Sequence, residues 1–166
     1  SQGFKKNQIF ITGRSCGGWM TMMLLARHPN IVAGGISYVP ECYGRLTKAY
    51  KVKKVGVEDA LKKFMEKAGP GPANMRQRQI EEIKKSENLP VLVFTHPKDP
   101  FGGLVSDWVE GISGVERIVV SEDNKVNGKS CKVWGESIKD FHDIDRATCF
   151  KEFNPKILNF INSKLN

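Results

Sequence analysis

The sequence predicts an α/β fold built on a mostly parallel sheet, on three observations. Short apolar runs (Ile9 to Ile11, Ile31 to Tyr38, Leu89 to Thr95, Val115 to Ser121) alternate along the chain with helical patterns, the order in which crossover helices join parallel strands. Leu89-Pro90-Val91-Leu92-Val93-Phe94-Thr95 has no polar alternation, as expected for a strand covered on both faces. The first run ends in Gly13-Arg14-Ser15-Cys16-Gly17-Gly18, and a helical pattern opens at Trp19. Helices are therefore expected on both faces of the sheet.

In chain order, residues 1 to 7 read as a helix end and a turn through Gln2-Gly3-Phe4. The first helix carries Trp19, Met20, Met22, Met23, Leu24, Leu25 and Ala26, and His28-Pro29-Asn30 stops it, because proline bars its predecessor from the helix. His28 suits that end as a capping cation. The next strand, Ile31 to Tyr38, is interrupted by Gly34-Gly35 and closed by Pro40. From about 41 to 88 a basic loop leads to an amphipathic helix, Val57 to Lys67, with Val57, Ala60, Leu61, Phe64 and Met65 on one face. Gly69-Pro70-Gly71-Pro72 is a break, and a second helix runs from about Asn74 to Lys85. This stretch reads as a helical, cap-like insertion over the sheet, where substrate contacts collect. Trp19, Tyr38 and Tyr43 are candidates for a substrate pocket, with ordinary packing as the alternative. Beyond the Leu89 to Thr95 strand come the loop His96-Pro97-Lys98-Asp99-Pro100, a helix from Phe101 to Val109 and the Val115 to Ser121 strand. A turn at Asp123-Asn124-Lys125, a short strand from Cys131 to Gly135, the loop Asp140-Phe141-His142-Asp143 and a last helix from Asn154 to Lys164 complete the chain.

A length of 166 residues is that of one domain, spanning 1–166, with 40% hydrophobic and 27% charged residues matching a globular protein rather than a disordered one. No stretch approaches the roughly 18 uncharged apolar residues that a membrane span needs. The net charge of +8 is concentrated at Arg45, Lys48, Lys51, Lys53 and Lys54. That run lacks the aromatic spacing of a base-stacking platform, so it reads as a solvated face and not as a nucleic-acid site. Cys16, Cys42, Cys131 and Cys149 show neither paired spacing nor a histidine partner at metal spacing. They are read as four free thiols, since a disulfide at Cys16 would obstruct the turn. With no visible signal peptide this favours the cytoplasm, although the chain begins at Ser1 without a methionine. No cofactor or metal is expected.

The chemistry centres on Gly13-x-Ser15-x-Gly17. A strand turning sharply into a helix strains its turn residue and projects that side chain above the sheet, while its neighbours must be small. Ser15 is the residue so presented. Thr12-Gly13-x-x-x-Gly17 with Tyr50-x-x-x-Lys54 also fits the loop and catalytic pair of short-chain dehydrogenases. Trp19, however, stands where that loop needs a third glycine, and too few residues separate Gly13 from Tyr50. A serine of ordinary pKa needs a base, and the base an orienting carboxylate. Of the three histidines, His28 ends a helix, His96 shares the Asp99 loop and is the rival, and His142 lies downstream of the strands. Asp140, Asp143 and Asp145 flank His142 as competing carboxylates.

The order Ser15, Asp99, His142 is the serine, acid, histidine order of α/β-hydrolases. With it, Gly13-Arg14-Ser15-Cys16-Gly17-Gly18-Trp19-Met20-Thr21 resembles the elbow of the dienelactone hydrolase and prolyl-oligopeptidase-like branch of that superfamily. Pro90 to Pro100 resembles its acid strand and loop, and Asp140-Phe141-His142 its histidine loop. The resemblance implies a three-layer α/β-hydrolase-type sandwich. It implies Ser15 as nucleophile, Asp99 as acid, His142 as base, a structural His96, and the Cys16 backbone N–H as one oxyanion-hole donor. It implies hydrolysis of a small ester or peptide through an acyl-enzyme. Dienelactone hydrolases proper carry cysteine at the place of Ser15, so their substrate is not implied. In that fold the elbow strand is central and a second oxyanion donor comes from an earlier loop. Only about eight residues precede the strand here, so the amino-terminal strands are expected to be lacking and the elbow strand to be an open edge suited to self-association. The alternative from another class is a catalytically incompetent interaction domain that binds a partner through the basic 45–54 segment, with binding weakened by salt.

Overall fold

A computed structural model of the chain describes residues 3–44, 50–120, 125–126, 129–130, 141–146 and 150–165. Four parallel strands form the sheet: β1 (Phe10–Arg14), β2 (Gly34–Tyr38), β3 (Val91–Thr95) and β4 (Val115–Val119), side by side in chain order. Arg14 lies level with Tyr38, Tyr38 with Phe94, and Phe94 with Ile118. The carboxyl ends of the strands therefore open onto one edge of the sheet. The strand expected over 131–135 lies outside the described residues; a two-stranded antiparallel ribbon, β5 (Lys125–Val126) with β6 (Lys129–Ser130), was not anticipated.

Five α-helices accompany the sheet among the described residues: α1 (Cys16–Arg27), α2 (Val52–Val55), α3 (Val57–Ala68), α4 (Pro70–Lys84) and α5 (Asn154–Lys164). When parallel strands follow one another in a single direction, crossovers of one hand must all lie on the same face. Those of this chain do. Trp19, Met22, Met23 and Leu25 of α1, Ile80 and Ile83 of α4, and Val109 of the 3-10 turns Gly103–Val109 form one core with Val91 and Val93. The opposite face, carrying Ile36, Leu92 and Phe94, is covered by Phe160 of α5, by Phe150 and Phe153 and by Ile144. Alternate β3 residues thus enter different cores, which is why that strand is apolar up to its last residue, Thr95.

The 41–88 stretch divides. α2 and α3 form a small separate cluster, with Val52, Ala60 and Phe64 meeting Ala73 and Val105. α4 belongs to the sheet layer, because a parallel β2–β3 pair needs a crossover that covers it. The prolines do not block this helix. Gly69 turns the chain at φ 77°, and Pro70 and Pro72 occupy the first turn of α4, where proline N–H groups are not required. Two bonds from Arg27 to Glu82, at 2.7 and 3.0 Å, tie α1 to α4. The helix expected over 101–109 is short and 3-10 instead. β1 pairs with β2 alone, so it is an edge of the described sheet. Among the described residues, no helix is long and apolar enough to cross a membrane.

Candidate active site

Ser15 stands between the last residue of β1 and the first of α1, at φ 55° and ψ −125°. L-residues avoid that region, at a cost of about 1–3 kcal/mol. The surrounding structure holds it there. The Ser15 N–H donates to Tyr38 O at 2.9 Å, and Ser15 O accepts the Trp19 N–H at 3.0 Å. A Cβ on Gly13 would lie 2.3 Å from Gly17 C and O, so that glycine is obligatory. The second close approach is at Gly18, where a Cβ would come within 2.7 Å of Ser37 Oγ and 3.1 Å of Tyr38 O. Gly17, which the motif marks as necessary, meets nothing within 4 Å because it faces away from β2.

Asp99 and His142, 43 residues apart, are brought together: His142 Nδ1 lies 2.9 Å from Asp99 Oδ1. The carboxylate is buried and oriented by its own loop, accepting the N–H of Phe101 at 3.0 Å and of Gly102 at 3.1 Å. The Phe101 ring stacks on the imidazole with centroids 4.0 Å apart. His142 belongs to the 3-10 turns Phe141–Arg146 rather than to an open loop. Arg14, which precedes Ser15, pairs with Asp143, which follows His142, and lies 3.6 Å from Asp145. This charge pair docks the histidine segment on the elbow strand. It also turns Asp143 and Asp145 toward Arg14, so that the carboxylate on His142 is Asp99. Asp140 lies outside the described residues.

His96 is fully buried. Its Nδ1 accepts the Lys98 N–H at 3.0 Å and its ring stacks on Phe141 at 4.2 Å. That environment makes it a prop for the turn carrying Asp99, whose N–H donates to His96 O at 2.9 Å. Of the three pocket candidates, Trp19 is corrected outright. It is 0% exposed, packed between Tyr43 and Trp108, with Nε1–H donating to Gln79 Oε1 at 2.6 Å. The first-turn face of α1 turns inward toward α4, so the indole is core. Tyr38 is half-buried in the aromatic stack with Phe94 and Phe150. Tyr43 is also half-buried and donates its hydroxyl to Gln79 Oε1 at 2.7 Å; both are packed rings first.

Two features were missed. The first is Glu41, almost completely buried between the elbow and the acid loop. Its carbonyl accepts the Ser15 hydroxyl at 3.2 Å, and a Cβ on Gly102 would lie 3.1 Å from its Cβ. The Glu41 carboxylate accepts the N–H of Cys42 and of Tyr43, each at 3.0 Å, and pairs with buried Arg76 at 3.2 Å. Burial pushes its carboxyl above the ordinary range, while the Arg76 charge pulls it back. Glu41 marks nothing in the sequence, because the charge it pairs with, Arg76, lies 35 residues on, in the second half of the β2–β3 crossover. The second feature corrects the reading of the cysteines as free thiols. Cys16 and Cys42 form a disulfide with Cα atoms 4.2 Å apart. Neighbouring parallel strands deliver the start of α1 and the loop after β2 to the same edge, so two cysteines 26 residues apart meet. Cys131 and Cys149 lie outside the described residues.

Among the described residues, no three His, Cys, Asp or Glu side chains are grouped to hold a metal ion. No protein-family model and no curated protein matches the chain.

Proposed function

We propose that the chain is a serine hydrolase of α/β-hydrolase type, cleaving an ester or amide by acyl transfer to water. The observation that carries the reading is the Asp99–His142 pair at 2.9 Å, docked through Arg14 and Asp143 beside a serine held at φ 55°. Buried carboxylate–imidazole pairs orient a base, and a strained turn serine is what such a base activates.

With Nδ1 on Asp99, Nε2 is the nitrogen that takes the Ser15 proton as Oγ attacks the substrate carbonyl. Asp99 holds the tautomer and stabilises the imidazolium as it forms. The first N–H groups of α1 have no intrahelical acceptor. The Cys16 N–H therefore serves as an oxyanion donor at the positive end of the helix. His142 returns the proton to the leaving group, and water then hydrolyses the acyl-enzyme with His142 again as base. In the resting geometry the Ser15 hydroxyl points to the Glu41 carbonyl, so attack requires it to turn toward His142.

The test is labelling with a fluorophosphonate and location of the adduct by mass spectrometry. Labelling at Ser15 is expected, lost in Ser15→Ala and His142→Ala and retained in a folded His96→Ala. A folded wild-type chain that labels neither before nor after treatment with a thiol reductant would overturn the reading and leave the partner-binding domain. Of that domain's basic segment, 45–49 lies outside the described residues, while Lys51, Lys53 and Lys54 are exposed.

A further inference from the structure

We propose that Cys16–Cys42 is a reversible thiol–disulfide gate on Ser15, closed when oxidised and open when reduced. The proposal rests on the hydrolase reading and adds its regulation.

Three placements support it. Cys16 is the residue after Ser15 and Cys42 the residue after Glu41, so the bridge ties the serine turn to the loop whose carbonyl accepts the serine proton at 3.2 Å. While the bridge is intact, the Glu41 loop is tied to the serine turn and the hydroxyl is held on Glu41 O. Cys16 is solvent-exposed and Cys42 half-buried, so an external thiol can reach the bond. It is also the first residue of a twelve-residue helix, where a thiolate is stabilised by the helix dipole and the free N–H groups. A stabilised thiolate is a good leaving group, which makes the bond exchangeable.

The chemistry balances with a dithiol reductant. One thiolate of the dithiol attacks Cys42 Sγ, the Sγ–Sγ bond breaks, and Cys16 departs as its thiolate. The second thiol of the reductant then displaces Cys42, which leaves as a thiolate and takes up a proton. Two electrons pass to the protein, and the dithiol becomes a cyclic disulfide. Cys42 is then free to move from Cys16, and the Ser15 hydroxyl can turn to His142. Glu41 keeps its bonds to the Cys42 and Tyr43 N–H groups and to Arg76, so the loop loosens without unfolding.

The experiment measures the rate of fluorophosphonate labelling of the full chain after equilibration in oxidised or reduced dithiothreitol. Peptide mass spectrometry of alkylated protein reports the state of Cys16 and Cys42. The expected result is reduction of the bond without denaturant and labelling faster by about tenfold or more, the scale of one net hydrogen bond released. Cys42→Ser should label at the reduced rate in both buffers. Equal wild-type rates in the two buffers, with labelling intact, would overturn the gate and leave the hydrolase standing. A bond that resists the reductant until the chain unfolds would overturn it too. Absence of labelling in every form, Cys42→Ser included, would overturn the hydrolase and the gate together.

Discussion

Asp99→Asn removes one charge and one acceptor from a carboxylate that is 1% exposed. Its Oδ1 faces His142 Nδ1 at 2.9 Å and the Phe101 N–H at 3.0 Å, and its Oδ2 faces the Gly102 N–H at 3.1 Å. An amide supplies a single oxygen for these donors. If that oxygen stays at Oδ1, the NH₂ group opposes the Gly102 N–H and strands a buried donor, a cost of about 1–3 kcal/mol. For a chain of this size that lowers Tm by roughly 2–12 °C. The imidazole keeps its tautomer and its hydrogen bond, but that bond falls from charge-assisted (about 1.5–3 kcal/mol) to neutral (about 0.5–1.5 kcal/mol), a loss of about 1–1.5 kcal/mol and of about five- to thirteenfold in rate. If the amide turns over, it opposes the Phe101 N–H and donates to His142 Nδ1. That forces the ring proton onto the nitrogen meant to accept it, a loss of about 10⁴-fold. The second-order rate of Ser15 labelling, followed by intact mass with Tm from circular dichroism, separates the two orientations. A folded Asp99→Asn chain that labels at the wild-type rate would refute the role of the pair.

Ser15→Gly should abolish labelling and raise Tm by a few degrees, since glycine tolerates φ 55° where an L-residue loses about 1–2 kcal/mol; an unchanged or lower Tm would deny the strain. Gly13→Ala should cost about 1–3 kcal/mol or more by forcing β1 from α1, whereas Gly17→Ala, which meets no atom within 4 Å, should be neutral or slightly stabilising. Equal melting of the two variants would show that the close approach is not at Gly13. Arg76→Met tests Glu41 through pH. Its carboxyl already titrates above the ordinary 4.5, because burial outweighs the Arg76 charge. A native pKa above the unfolded one means that the folded state holds the proton longer. Stability from this group is therefore full below about pH 4.5 and falls as the pH rises through the native pKa. Removing Arg76 raises that pKa further, so the variant should melt close to wild type at pH 4 and fall behind by about 3–5 kcal/mol toward pH 7. A deficit equal at both pH values would place the loss in packing alone.

The legible parts of the molecule were those encoded within one element. β3 could be read because both of its faces are buried, which leaves no polar residue before Thr95 at its end. The last helix was read to its end residues, Asn154 and Lys164, since Pro155 sits in its first turn, where it is tolerated. Gly13, Ser15 and the helix after them were legible because a strand-to-helix turn has a local steric requirement. Gly17 misled for the same reason, as a spacing motif does not say which glycine faces the neighbouring strand. The break at Gly69 to Pro72 was read as a stop, although proline opens a helix as readily as it ends one.

The local order of apolar and polar residues by itself determined the α/β class, the parallel sheet, the bounds of α1, α3, α4 and α5 to within a few residues and the turn that presents Ser15, but not α2 or the 3-10 character of 103–109. Short-range sterics and period are properties of neighbours in the chain. Tertiary structure alone decided that Trp19 is core, that Glu41 and Arg76 are partners, that Arg14 holds the His142 segment and that Cys16 meets Cys42. Each of these pairs spans 26 to 129 residues. They meet only because parallel strands carry distant loops to the same edge, an arrangement in which the partner's position leaves no trace beside either residue.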